Sequence, residues 1–131
     1  MNISKSTDLS LLLLRLTFGG LMLLNHGLPK LEKLTGDAPI KFAEVMGMSA
    51  TASLSLAVFA EVLCAALLII GLFTRFAALP LVITMMVAVF VIHWTDPLSD
   101  KEFALLYLIP YIVLLIKGGG WYSLDRLLGR G

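Results

Sequence analysis

The chain has 131 residues, 59% of them hydrophobic and 15% charged, with a net charge of +1. So large an apolar share exceeds what one water-soluble core of this size can bury and points to a bilayer, while the near-neutral charge excludes the basic surface of a nucleic-acid binder. One cysteine, Cys64, excludes an internal disulfide, a Cys-x-x-Cys relay and an iron–sulfur cluster held by this chain's cysteines alone.

Four apolar segments follow one another, about 9–28, 52–73, 76–94 and 103–117. No period of two runs through them, and lipid leaves every backbone polar group to be satisfied internally, so the expected class is all-α: an integral membrane four-helix bundle forming one domain over 1–131. The first segment lacks a basic region before it and a small-residue cleavage site after it, so it reads as a retained helix rather than a signal peptide. Gly27 and Pro29 are the usual punctuation for its end. In the long loop beyond, Asp37, Pro39 and the mixed run Ile40–Met46 suit a short interfacial helix capped by Asp37. The fourth segment is short for a span, which fits an upright helix or one that begins in the interface. Gly118-Gly119-Gly120 then breaks the backbone, and Ser123 can cap a final turn. Trp94 on one face, and Trp121 with Tyr122 on the other, mark the aromatic belts. The excess of Lys and Arg on the side holding both termini favours cytoplasmic termini.

Two charges stand inside the apolar runs. Glu61 lies near the middle of the second, where an ionisable group costs at least about 2.5–3.5 kcal/mol, and Arg15 lies about 9 Å inside the first by helical rise. Glu61 reads either as a neutral acid that fastens helices together or as a proton acceptor in a sheltered site. Arg15 reads either as a partner of Glu61 or as a side chain snorkelling to the headgroups. Side chains lean toward their own helix N-terminus, which sends Arg15 toward the terminal face and Glu61 away from it. Arg15, Gly19, Met22 and His26 follow helical spacing and form one stripe, with Gly19 leaving room for a neighbour. Tyr107 falls at the level of Glu61, and His26 and His93 gather near the opposite face with Asp96 and Glu102. Two helix-end histidines are a weak metal or haem constellation, so no metal site is assigned. Cys64 reads as a small packing residue.

The run His26-Gly27-Leu28-Pro29-Lys30-Leu31 after an Arg-bearing helix, Glu61 ahead of Gly71-Leu72-Phe73-Thr74-Arg75, and Gly118-Gly119-Gly120-Trp121-Tyr122-Ser123-Leu124-Asp125 after the last segment together resemble the DoxX family. The resemblance implies a small four-helix protein of the bacterial inner membrane. It also implies quinone-linked redox work, because the family includes or neighbours a membrane subunit of a thiosulfate:quinone oxidoreductase. Two departures stand out: Cys64 and Ala65 replace glycines common after the Glu, and Gly119 stands where proline is common. The expected function is therefore a membrane subunit that binds a quinone or similar lipid-soluble carrier and acts with a soluble or membrane redox partner; the resemblance then makes Glu61 the candidate proton acceptor, His26, His93 and Tyr107 the candidate hydrogen-bond partners of the quinone, and Arg15 a further candidate carrier contact. The alternatives are a non-enzymatic scaffold that stabilises a partner and, more weakly, a small-solute transporter, which would require a homo-oligomer.

Overall fold

The structure, a computed structural model, describes residues 3–129 and is helical, with no strand among them. Its elements are α1 (Ser4–Thr35), α2 (Ala50–Ile70), α3 (Thr74–Ile92), α4 (Leu98–Lys117) and a single turn, α5 (Leu124–Leu127). Three of them, α1, α2 and α3, are long and apolar enough to cross a membrane. The fourth is equally helical but carries Asp100, Lys101 and Glu102 in its opening turns.

Large apolar side chains turn outward on all four long helices, among them Leu13, Leu24, Phe59, Leu63, Ile83 and Ile109. A water-facing surface would not present them together, whereas hydrocarbon does so at no cost. Inside, Leu54, Leu68, Leu81, Leu114 and Tyr111 are fully enclosed, and small residues such as Ala65, Ala77, Ala78 and Ala104 let the helices approach. The most extensive packing pairs α3 with α4 and, to the same extent, α1 with α2. Rings continue the core across α1 and α4: Phe18 meets Tyr107 edge-on at 5.7 Å, and Tyr107 stacks on Tyr111 at 6.1 Å.

Two expectations for the first loop are corrected. The first helix does not end at Gly27 or Pro29; it continues to Thr35. Its hydrogen bonding widens to π over Leu23–Gly27, immediately before Pro29, where a regular turn would drive the proline ring against a carbonyl four residues back. Nor is there an interfacial helix over Ile40–Met46. Residues 36–49 form an irregular strap, held by Lys33 Nζ donating to Lys41 O (3.2 Å) and by Val45 N–H donating to Ser53 Oγ (3.1 Å). Its apolar residues Phe42 and Val45 turn toward a cavity, so they are not free to make a lipid-facing helix side, while Met46 at its rim stays exposed.

The remaining boundaries follow from caps. Ser49 Oγ accepts from Ala52 N–H and opens α2, while Gly71 at φ 75° closes it in a Schellman arrangement, Leu72 N–H reaching back to Leu67 O. The fourth helix starts at Leu98, ahead of the expected 103, because its polar first turn is helical too.

The contact between α1 and α2 depends on glycines. A Cβ at Gly27 would stand 2.3 Å from the Glu61 carbonyl oxygen, and one at Gly19 would stand 2.9 Å from Ile69 Cγ1, whereas nothing lies within 4 Å of a Cβ at Gly20. Gly27→Ala is therefore expected to force the two backbones apart and lower stability by about 1–3 kcal/mol in detergent thermal unfolding. Gly20→Ala is the matched control and should unfold with the parent; equal effects of the two would remove the close-approach argument.

Candidate functional site

The two intramembrane charges lie in separate environments. Arg15 is 2% exposed and donates to four carbonyls: Nε to Leu68 O (2.9 Å), one terminal nitrogen to Ile69 O (3.0 Å), the other to Gly119 O (3.0 Å) and Tyr122 O (2.7 Å). Leu68 and Ile69 belong to the last turn of α2, where carbonyls lack helical partners and the helix dipole is negative, so a planar cation with forked donors is suited to that end. Neither the Glu61 pair nor the snorkelled position holds for Arg15. Its side chain lies remote from the cavity described below and does not line it.

Asp125 performs the complementary task at the start of α3. Its two oxygens accept from Phe73 N–H (2.7 Å) and Thr74 N–H (2.9 Å), and its own N–H donates to Gly71 O (2.9 Å). Phe73 sits at φ 49°, a conformation bulky residues avoid, and the carboxylate holds it there. Gly71 has no room for a side chain, since a Cβ would meet Ser123 Cβ at 2.5 Å and an Arg15 nitrogen at 2.8 Å. Gly118 and Gly120, at φ 77° and 81°, turn the tail back so that Trp121 N–H reaches Asp8 (3.0 Å). The Gly71–Arg75 and Gly118–Asp125 motifs are thus one knot that joins α1, the α2–α3 turn and the tail.

Glu61 faces the other end of the molecule. It is 1% exposed and pairs through Oε1 with Lys30 Nζ at 2.6 Å, the lysine side chain being 29% exposed. Its second oxygen, Oε2, is buried without a hydrogen-bond partner among the described residues. Lys30 is the partner of Glu61 that sequence reasoning misses, and the signal is present: it continues the helical spacing of the Arg15, Gly19, Met22, His26 stripe by four residues, provided the helix runs through Pro29.

Beside this pair lies a cavity of about 310 Å³, walled by Met22, Phe42, Val45, Leu56, Ile83 and other apolar residues, with Lys30, Glu61, His26 and His93 among its polar lining. Phe103 stands between the histidines, stacked on His26 at 5.5 Å and edge-on to His93 at 6.2 Å. His93 Nδ1 is held by Asp96 Oδ2 at 2.8 Å. The structure therefore brings Glu61, His26 and His93 to one cavity. Tyr107 stands behind His26, ring against ring at 5.6 Å, and does not line it. Glu102 is exposed, and no three His, Cys, Asp or Glu side chains among the described residues stand close enough to hold a metal ion. Cys64 is buried in the core.

Long apolar helices with lipid-facing side chains, two internally answered charges and an apolar cavity at helix depth define a helical membrane protein. Residues 10–94 match the family model DoxX, and the chain belongs to that family. No curated protein and no solved structure matches it.

The knot makes a prediction of its own. Arg15→Met removes four hydrogen bonds to carbonyls, two of them buried and two part-buried, and is expected to cost about 2–3 kcal/mol of stability, with Arg15→Lys recovering only part because an ammonium lacks the planar fork. Chemical unfolding in detergent measures both; an Arg15→Met protein as stable as the parent would show that the clasp carries no weight.

Proposed function

We propose that this chain is the membrane subunit of a quinone-linked oxidoreductase and holds the head group of a lipid-soluble redox carrier in the cavity beside Glu61. The single observation that carries this reading is a buried carboxylate with one oxygen unpartnered, set at the wall of an apolar cavity that also presents an ammonium and two imidazoles. A scaffold needs its polar groups saturated and its helices packed solid, and a cavity of about 310 Å³ in that position fits a ligand better than a strut.

When the reduced carrier is oxidised, its two electrons pass to a redox centre on a partner protein and two O–H bonds break. One proton goes to Glu61 and the other to bulk water; reduction reverses these transfers. Lys30 holds the carboxylate in place and offers its remaining N–H groups to a carrier oxygen. This reading places α4 as a fourth span in a four-helix bundle, with both termini cytoplasmic in a bacterial inner membrane. Its charged opening turn then sits at the interface, where Lys101 lies over Trp94 at 5.2 Å.

Glu61→Gln keeps the size and one acceptor of the side chain but cannot take a proton at neutral pH. It is expected to leave thermal unfolding near that of the parent while lowering quinone-dependent electron transfer in membranes by at least about tenfold. Unchanged electron transfer in Glu61→Gln, together with no binding of a short-tailed benzoquinone to the purified parent, would sink the carrier reading and leave the scaffold.

A further inference from the structure

The Lys30–Glu61 pair presents a donor and an acceptor side by side. Lys30 has three N–H donors and no acceptor, and one of them is given to Glu61 Oε1 at 2.6 Å. An ionised carboxylate can only accept, and Oε2, enclosed and unpartnered, is the acceptor left over. Of the other polar side chains of the wall, Ser53 Oγ takes Val45 N–H, the Thr84 hydroxyl donates to Pro80 O at 2.7 Å and His93 holds Asp96, while the His26 ring, stacked on Phe103, can donate or accept and so favours neither form of a ligand.

From this we infer that the cavity selects the hydroxyl form of its ligand over the carbonyl form: a head-group hydroxyl donates to Glu61 Oε2 and accepts from Lys30, whereas a carbonyl can only accept. The inference deepens the carrier reading and rests on it for the class of ligand, a benzoquinone and its hydroquinone. A bound carbonyl leaves Oε2 as an orphaned acceptor in a dry wall, and a site built to receive a ligand hydroxyl rejects the analogue lacking it. The reduced carrier is therefore the form held more tightly, and the bound couple is more readily reduced than the free one.

Four probes with the same short alkyl tail test this on the full chain in nanodiscs: a hydroquinone, its benzoquinone, a phenol that donates but has no accessible two-electron quinone couple, and the phenol's methyl ether. Equilibrium binding is expected to rank hydroquinone and phenol at least about tenfold above quinone and ether. Glu61→Gln, whose amide can donate as well as accept, should bring the hydroquinone-to-quinone ratio toward one. The parent alone is decisive even if that variant does not fold, because the ether lacks the donor but adds a methyl group, and the quinone lacks the donor without adding bulk. Equal binding of phenol and ether overturns the inference while leaving a redox carrier in place if the quinone binds. Binding of the phenol over its ether, with neither quinone nor hydroquinone bound, upholds the hydroxyl preference and overturns the carrier reading. Failure of all four overturns both.

Discussion

A charge at bilayer depth has to be answered from within the protein, and the direction in which helical side chains lean decides which partner can do it. Lys30 on α1 leans back toward the N-terminus of its helix, which is toward the middle of the molecule. Glu61, on a helix running the other way, leans toward the strap, and the two meet at 2.6 Å. Arg15 leans toward the terminal face and meets the carboxyl end of α2. One rule of geometry thus separates two opposite charges that look like natural partners and gives each a different companion.

The two ends of the molecule meet that demand with different partners, and each keeps one buried side-chain oxygen unpartnered among the described residues, Thr74 Oγ1 at the terminal end and Glu61 Oε2 at the strap end. At the terminal end, five of the polar groups that tie the knot come from residues far apart in the chain, Asp8, Arg15, Gly71, Gly119 and Asp125, and their contacts saturate helix ends that would otherwise be exposed to lipid or headgroups. At the strap end the pair is half-saturated and a cavity opens beside it. The knot and the proposed carrier cavity lie toward opposite ends, with the ring column of Phe18, Tyr107 and Tyr111 between them. Tyr111 secures that column by donating to Phe18 O at 2.9 Å.

Much of this was legible from residue order. The helical class, the weight carried by Arg15 and Glu61, the stripe through Gly19 and the opposed leans of the two charges all follow from spacing and handedness. What escaped was Lys30, because Gly27 and Pro29 carry the chemistry of a helix end and only a widened turn lets the helix pass them. The strap escaped for a related reason: Asp37 and the mixed run after it satisfy the local rules for a helix, but Phe42 and Val45 are claimed by the cavity, a demand that no local rule contains. Asp125 escaped because its role is to cap a helix that begins 51 residues earlier, and capping rules written for neighbours are silent at that separation.

The π turns carry a consequence for how such a protein changes over time. Four occur among the described residues, at Arg15–Gly19, Leu23–Gly27, Phe59–Cys64 and Ala88–Ile92, each holding or adjoining a polar residue discussed above. Each fits an extra residue into a helical turn, so everything beyond it is rotated around the helix axis relative to an unbroken α-helix. Loss of Leu23, Leu24 or Asn25 would take that extra residue out and restore a regular winding while Lys30 keeps its side of the helix and the cavity keeps its side chains. For this fold a widened turn absorbs a one-residue change in length, so the chain can shorten there in one genetic step while the faces beyond keep their partners.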